Sequence, residues 1–445
     1  MSFKQSLRLN QQFIRLSSTL NQPKLETIKS KLENHLKISS EESIKNYHTN
    51  YEDKLESSPL ILDYHSSWSP KATSQHYQSS SRENSSSPLN PINQNNQNYE
   101  KPRRVTVIGG GSWGTAISKV IAGNVTKYPN LFDQQVVLYL RDDNLRLVIE
   151  KTRVNIRYLL KIKLPPNIVP ISNLHEAISR SDVLIFAIPH EYIKDVCYKI
   201  HKSSIPKPRP IGVSLIKGIH IDSQGNLERT TQIISRMLGI PMGVLSGANV
   251  ALDVAKEEFS EATLAPPLPS SPEIDDLLRK LFTTSYFKIS LCYDTPTVEI
   301  CGALKNVISC GAGIIDGIGY GVNTKAAAIR AGIREAIQFV GIFHPDYKLS
   351  TFFENCGIAD AIASSFGGRN RKVIDEFVKS TKSLAVLERE LLGGQKLQGP
   401  NTADVVHQLL IRKNLIEQFP LFTSIYRICN RKQQPRTILE ALEHS

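Results

Sequence analysis

Metal-binding and disulfide patterns are missing from this 445-residue sequence. Its six cysteines lie within apolar stretches and form neither a C-x-x-C pair nor a Cys/His zinc spacing. This is typical of a protein from a reducing compartment whose thiols act as small core residues. We therefore expect no metal site and no catalytic cysteine. We also find no apolar run close to the roughly 18 residues that a spanning helix needs, so we expect no membrane span.

Acidic residues are in deficit, because Lys and Arg number 54 against 42 Asp and Glu, which gives a formal net charge of +12. The basic residues are scattered, without a basic stripe interleaved with aromatic residues, so we expect no nucleic-acid partner. A positive field would attract small anionic ligands, such as phosphorylated metabolites or a dinucleotide. A charge that serves only solubility explains the composition equally well.

Residues 1–102 lack the apolar content of a folded domain, because tracts such as SSSRENSSS and NPINQNNQN cannot bury enough surface to offset chain entropy. We expect a mostly disordered extension with a local helix near LETIKSKLENHLK. Residues 1–25 contain basic but no acidic residues, the composition of a mitochondrial transit peptide. A basic tail without a targeting role is equally compatible. We expect a cytoplasmic location, with mitochondrial import as the alternative.

From residue 103, strand-like runs alternate with segments long enough for crossover helices: RRVTVI, QVVLYL, DVLIFAIP, PIGVSLI and MGVLSG. This alternation predicts an α/β domain with a mainly parallel sheet. After about Thr295 the segments VEICGALKNVISCGAGIIDGIG and TKAAAIRAGIREAIQFVGIF are long, alanine-rich and free of proline, which favours helices. We therefore expect a parallel-sheet domain over 103–294 and an all-helical domain over 295–445.

A glycine-rich segment, VTVIGGGSWG, follows the first strand-like run. Its G-x-G-x-x-G pattern is filled by Gly109, Gly111 and Gly114, which would permit a tight turn, close approach of a pyrophosphate, and close packing of helix on strand. Helix amides from Ser112 onward would face the phosphates. We interpret the segment as a dinucleotide-binding loop, although a purely structural turn produces the same pattern.

The residues after the second predicted strand bear on the choice between NAD and NADP. That strand should end near Leu140, and Arg141, Asp142 and Asp143 follow it. A carboxylate at this point accepts the ribose hydroxyls of NAD, whereas an arginine can stack on adenine or bind the extra phosphate of NADP. We expect NAD, with NADP as the less favoured alternative.

Reduction of a phosphorylated ketone would need a proton donor near the developing alkoxide and positive charge for the phosphate. The candidates are Lys217 in SLIKGIH, Lys305 and Asn306 in EICGALKNVISCGAG, and Asp360, Arg369 and Asn370 in GIADAIASSFGGRNRK. The pKa of a lysine falls readily on burial, which suits proton transfer. A lysine that reaches solvent and ordinary salt bridges are the alternative interpretations.

Seven segments resemble the eukaryotic NAD-dependent glycerol-3-phosphate dehydrogenase family: VIGGGSWGTAISK, DVLIFAIPHEYI, SLIKGIH, SGANVA, VEICGALKNV, GRNRKV and GGQKLQGP. They occur in the family's order across residues 103 to 432, and 1–102 has no counterpart in shorter members. The resemblance implies a Rossmann domain, a helical domain and a cleft between them. It also implies a homodimer that uses NADH to reduce dihydroxyacetone phosphate reversibly to sn-glycerol 3-phosphate.

The resemblance further implies roles for residues at matching positions. Lys305 would protonate the carbonyl oxygen, and Lys217 and Asp360 complete the catalytic set. The implied substrate contacts are Lys217, Asn306, Ser364, Arg369 and Asn370, of which the last two would bind the phosphate. The implied cofactor contacts are Gly109, Gly110, Gly111, Ser112, Trp113, Gly114, Arg141, Tyr192, Ala248, Arg369, Lys396 and Gln398.

Two positions depart from the family's pattern. Arg141 stands where these enzymes commonly have an aromatic residue beside the adenine, and Ser364 replaces the usual threonine but keeps the hydroxyl. His190 matches a position without a catalytic role, so we expect it to be structural. Two other functions stay open. A related Rossmann dehydrogenase would not need Lys217, Lys305 and Arg369 together, and a cofactor-sensing or scaffolding protein would not need intact catalytic residues.

Overall fold

The computed structural model describes residues 101–203 and 205–444. The expected disordered extension, apart from its last two residues, lies outside the described residues. The same holds for the transit-peptide segment and for the helix near LETIKSKLENHLK.

An eight-stranded sheet organises the first half of the described chain. Its strands, with a separate two-stranded hairpin formed by β6 and β7, are β1 Arg103–Ile108, β2 Phe132–Tyr139, β3 Ile168–Ile171, β4 Val183–Phe186, β5 Ile211–Ser214, β6 Ile219–Ile221, β7 Leu227–Arg229, β8 Met242–Ser246, β9 Ser260–Ala265 and β10 Phe287–Leu291. The sheet order is β10-β9-β8-β5-β4-β1-β2-β3. Every neighbouring pair is parallel except β8 with β9. The predicted mainly parallel sheet is confirmed, whereas β3, β9, β10 and the hairpin were not predicted.

Helices cover both faces of this sheet. They are α1 Ser112–Lys127, α2 Asp143–Thr152, α3 Leu174–Ile178, α4 Ile193–Lys202, α5 Thr230–Leu238, α6 Ala251–Ala255 and α7 Pro272–Phe282. Strand β4 shows why both faces are buried: Val183 and Ile185 pack in the cluster that contains α1 and α7, and Leu184 and Phe186 pack in the cluster that contains α4 and α5. Alternate side chains of a strand point to opposite faces, so a continuous apolar run fits a sheet between two helical layers.

The described residues from Thr295 onward form helices and connecting turns, as the sequence predicted. The helices are α8 Thr295–Gly317, α9 Val322–Phe343, α10 Asp360–Gly367, α11 Arg369–Lys379, α12 Leu384–Leu392, α13 Gln398–Arg412, α14 Pro420–Cys429 and α15 Ile438–Glu443. A π-helical turn, Asn355–Ala359, leads directly into α10. Helix α8 is central, because α9, α10, α11, α13 and α14 all pack against it, as does strand β8.

Helix α8 corrects one expectation from the sequence. It is long and apolar enough to span a membrane by length and composition, so the expected absence of such a run was wrong. However, 94% of its apolar window is buried inside the protein. Its apolar character is that of a core helix covered on all sides.

The six cysteines are free, and all are buried except Cys292, which is partly exposed. Their placement in the core is confirmed. Burial raises the pKa of the Cys197 thiol to about 12, so this side chain stays an unreactive thiol at neutral pH.

Candidate active site

Five connections gather at one edge of the sheet, because β1, β2, β4, β5 and β8 are parallel and end on the same side. In chain order they carry the glycine loop, Arg141, the turn His190–Tyr192, Lys217 and Ala248. The fold therefore brings five of the segments selected from the sequence to a single crevice.

At two positions of the glycine loop, the backbone geometry accommodates only glycine. Gly109 has φ of +125°, a left-handed value that disfavours side chains. A Cβ atom on Gly114 would lie 1.8 Å from the carbonyl oxygen of Gly109, so α1 packs directly on the turn. A Cβ on Gly111 would meet no atom within 4 Å, which leaves open space at the start of α1.

The N-terminus of α1 suits an anion. Its cap, Gly111, has no side chain to occupy the first amides, and its first turn contains no acidic residue. Unsatisfied helix amides and the helix dipole both favour a phosphate at such an end. The loop residues present therefore fit the pyrophosphate of a dinucleotide.

Neighbouring side chains hold the glycine loop in place. Asn155 donates from Nδ2 to the carbonyl oxygen of Gly110 at 2.9 Å, and the Ser112 hydroxyl donates to the carbonyl oxygen of Tyr158 at 2.9 Å. The Trp113 ring packs edge-on against Phe287, with centroids 6.3 Å apart. The cofactor contact expected of Trp113 stays a prediction.

Lys217, Lys305 and Asp360 form one ion-paired cluster. Lys305 Nζ lies 2.9 Å from Oδ1 of Asp360 and 2.5 Å from the Ser364 hydroxyl. Lys217 donates to Oδ2 of Asp360 and, at 2.7 Å, to the carbonyl oxygen of Gly247. Asp360 and Ser364 lie four residues apart on α10 and so share a helix face. Two ammonium groups from different halves of the chain thus meet one carboxylate.

Burial sets the protonation behaviour of this cluster. Burial lowers the pKa of Lys305 to about 8; Lys217 acts in the same direction and Asp360 opposes it. Burial alone would raise the pKa of Asp360, but Lys217 and Lys305 outweigh it and hold that pKa below its usual value. At neutral pH the cluster therefore contains an ionised carboxylate and a lysine that can give up its proton near physiological pH.

Asn306 and Asn370 form an amide pair beside this cluster. Nδ2 of Asn370 donates to Oδ1 of Asn306 at 3.0 Å, and Oδ1 of Asn370 accepts from the Gly399 amide at 3.0 Å. Arg369, at the start of α11, donates to Oε1 of Gln395 at 2.6 Å; the residue as a whole is exposed, but burial of its guanidinium lowers its pKa. Arg369 and Asn370 are thus adjacent in sequence, and only the second is buried as a whole residue.

His190 has structural partners, as expected. Its ring packs edge-on against His220, with centroids 5.3 Å apart, and Nδ1 is hydrogen-bonded to Gln398. Gln398 also donates to Glu191 at 3.1 Å. Burial, followed by the charge of His190, lowers the pKa of His220 to about 4. These contacts join the turn after β4 to the start of α13.

The remaining cofactor candidates have contacts of their own. The Arg141 guanidinium lies 5.8 Å from the centre of the Tyr192 ring. Lys396 is paired with Glu388 at 2.8 Å, and its side chain is 64% exposed. Ala248 is partly exposed between β8 and α6.

Two contact residues were missed by sequence reasoning. The Gly247 carbonyl, which accepts from Lys217, acts through the backbone and gives no side-chain signal. Gln395, the partner of Arg369, lies within the segment GGQKLQGP and could have been selected from it. In the described ranges, no three His, Cys, Asp or Glu side chains are grouped so that they could hold a metal ion.

Comparisons with known proteins agree with this geometry. Residues 104–270 match the family model described as NAD-dependent glycerol-3-phosphate dehydrogenase N-terminus, and residues 294–440 match the model of its C-terminus. The cytoplasmic glycerol-3-phosphate dehydrogenase [NAD(+)] of Drosophila melanogaster is 42% identical over 76% of this chain and 93% of its own length. Its counterpart in Rattus norvegicus is 42% identical over 74% of this chain and 95% of its own length.

A solved structure shares the fold as well as the sequence. The Plasmodium falciparum glycerol-3-phosphate dehydrogenase is 38% identical and superimposes with a TM-score of 0.72, over 76% of this chain and 95% of that one. The similarity therefore extends across both halves of the described chain.

Proposed function

This chain belongs to the NAD-dependent glycerol-3-phosphate dehydrogenase family, and from that premise we propose which of its residues carry the reaction. It is an NAD-dependent oxidoreductase with a Rossmann-type first half. We propose that it reduces dihydroxyacetone phosphate reversibly to sn-glycerol 3-phosphate. The observation that carries this assignment is the buried cluster in which Asp360 binds both Lys217 and Lys305.

Lys305 is the proton donor in this proposal. The glycine loop and the N-terminus of α1 would hold NADH, which would supply the hydride for the carbonyl carbon. Lys305 gives its proton to the carbonyl oxygen and acts as the base in the reverse direction. Its pKa of about 8 suits both roles, because an acid–base group works best when its pKa lies near the operating pH.

Lys217, Asp360 and Ser364 position that proton. Asp360 holds both ammonium groups, and Ser364 contacts Lys305 at 2.5 Å and Asp360 at 3.2 Å. With two cations and one anion, the cluster keeps a net positive charge. A fixed positive charge stabilises the oxygen as negative charge develops on it, and it costs no reorganisation during the reaction.

Arg369, Asn306 and Asn370 form the substrate-binding wall. The Arg369 guanidinium would exchange its contact with Gln395 for the substrate phosphate, which a guanidinium binds in a bidentate manner. The amide pair of Asn306 and Asn370 offers hydrogen bonds to substrate oxygens next to Lys305. The predicted contacts of Tyr192, Ala248, Lys396 and Gln398 with NADH belong to the same proposal.

We further propose that the protein is a cytoplasmic homodimer. In each chain the boundary between the two domains lies between residues 294 and 295. The Drosophila and rat relatives are named cytoplasmic, which supports this location, and nothing in the comparisons supports mitochondrial import. The domain boundary falls between the end of β10 and the start of α8. Size-exclusion chromatography with light scattering tests the dimer.

A turnover assay tests the reaction. Purified protein is mixed with NADH and dihydroxyacetone phosphate, and the loss of NADH absorbance is followed. Oxidation that depends on both compounds, with sn-glycerol 3-phosphate as product, supports the proposal. An absence of NADH oxidation would reject it and would favour a cofactor-sensing protein without turnover.

A further inference from the structure

The two carboxylates that follow β2, those of Asp142 and Asp143, are both hydrogen-bonded to other residues of the protein. Asp142 caps α2 by accepting from the Leu145 amide at 3.1 Å, and its second oxygen accepts from Nη1 of Arg157 at 3.3 Å. Each carboxylate oxygen of Asp142 therefore already has a protein partner.

The next residue, Asp143, is bound through its Oδ1 atom. Oδ1 of Asp143 accepts from Nε of Arg146 and from the Ser172 hydroxyl, both at 2.6 Å. The carboxylate that follows β2 in many NAD enzymes selects against NADP because it repels an added phosphate. Here each of the two carboxylates is paired with an arginine.

Arg141 is the first cationic residue after β2 in the sequence. It is exposed, and none of the ion pairs in the described part of the chain involves it. Its guanidinium lies 5.8 Å from the centre of the Tyr192 ring, which follows β4. Because β1 lies between β2 and β4 in the sheet, this contact crosses the groove beside the glycine loop.

Arg157 brings a second guanidinium to the same edge. Its contact with Asp142 places it beside the residue that follows Arg141, and its side chain is 61% exposed. The adjacent Tyr158 carbonyl accepts the Ser112 hydroxyl, which ties this segment to the glycine loop. Both arginines therefore border the place where the adenosine ribose of a dinucleotide would lie.

We propose that Arg141 and Arg157 form a subsite for the 2′-phosphate of NADP(H), so that this enzyme accepts NADPH as well as NADH. The inference rests on the proposed function, since it concerns the same cofactor groove. Guanidinium groups bind phosphate through charge-assisted, often bidentate, hydrogen bonds. Arg157 would bind the 2′-phosphate through Nε and Nη2 while Nη1 keeps Asp142, and Arg141 would meet the phosphate without breaking an ion pair.

Titration calorimetry with nucleotide fragments tests the subsite without turnover. The ligands are 2′,5′-ADP, the charge-matched isomer 3′,5′-ADP, and 5′-AMP. A charge-assisted hydrogen bond is strong enough that we expect 2′,5′-ADP to bind about tenfold more tightly than either of the others. Arg141→Leu and Arg157→Leu should each remove most of that preference. Lys151→Gln, which removes one exposed positive charge from α2 and leaves the partners of Asp142 and Asp143 in place, is the control and should keep the preference.

Two outcomes would overturn the inference. One is equal affinity of the wild-type protein for 2′,5′-ADP and 3′,5′-ADP. The other is that Arg141→Leu lowers the affinities for 5′-AMP and 2′,5′-ADP by the same factor. That result would assign Arg141 to adenine stacking. Turnover with NADH and dihydroxyacetone phosphate is measured separately, so failure of the proposed reaction and failure of the phosphate subsite are distinguishable.

Discussion

Lys305 Nζ lies 2.9 Å from Oδ1 of Asp360, a carboxylate that is only 3% exposed. Lys217 binds the other oxygen of the same carboxylate. One buried anion therefore fixes the separation of two cations, and both ammonium groups are already in place before the substrate binds. A site held ready in this way lowers the barrier because its charges are already oriented.

Replacement of the proton donor should abolish most of the turnover and leave NADH binding unchanged. We expect Lys305→Ala to lower kcat by about 10²-fold to 10⁴-fold, the usual contribution of a general acid. The affinity for NADH, measured by fluorescence titration, should change little, because the glycine loop is untouched. Lys379→Ala, which removes an exposed lysine of the helical half, is the control. Near-normal turnover in Lys305→Ala would show that another group donates the proton.

The two directions of the reaction should respond to pH with opposite signs. Burial sets the pKa of Lys305 to about 8. The reduction needs the protonated lysine, so the kcat/KM for reduction should fall as the pH rises through about 8. The kcat/KM for oxidation of glycerol 3-phosphate needs the neutral lysine and should rise over the same pH interval.

Asp360 should control the position of that transition. The carboxylate raises the pKa of Lys305 against the effect of burial. In Asp360→Asn the opposing charge is lost, so the transition in the pH–rate profile should move to lower pH. A transition at the same pH in the wild-type protein and in Asp360→Asn would contradict the assigned coupling.

Arg369 should act on the phosphate of the substrate. We expect Arg369→Lys to raise KM for dihydroxyacetone phosphate by about 10-fold to 100-fold, because an ammonium cannot replace the bidentate fork and such a bond contributes about 1.5–3 kcal/mol. Dihydroxyacetone, which has no phosphate, provides the comparison. The enzyme should turn over dihydroxyacetone slowly, and at the same rate in the variant and in the wild-type protein. An equal loss with both substrates would place Arg369 elsewhere in the reaction.

Two glycines of α1 should differ sharply in their tolerance of a methyl group. A Cβ on Gly114 would lie 1.8 Å from a backbone oxygen, so Gly114→Ala should lower Tm and weaken NADH binding. A Cβ on Gly123 would meet nothing within 4 Å, so Gly123→Ala should stabilise the fold by about 0.5–1 kcal/mol through higher helix propensity. Thermal unfolding of both variants, with and without NADH, gives the comparison. Equal Tm values would contradict the close packing of α1 on the loop.

Local patterns in the sequence were sufficient for most elements of the fold. Apolar β-branched runs predicted five of the sheet strands, and alanine-rich segments predicted α8 and α9. The hairpin of β6 and β7 was missed because three-residue strands are too short to show periodicity. The antiparallel placement of β9 was also missed, since strand direction depends on how the chain returns to the sheet.

The sequence by itself determined the residue types of the site, through the glycine pattern and through the resemblance that selected Lys217, Lys305 and Asp360. The tertiary structure decided how they meet, because Asp360 lies 143 residues from Lys217 and 55 residues from Lys305 along the chain. Only folding shows that Lys305 is buried enough for a lowered pKa, or that Asp142 and Asp143 are already bound by arginines. Burial and pairing depend on neighbours that are distant in sequence, and no local pattern records them.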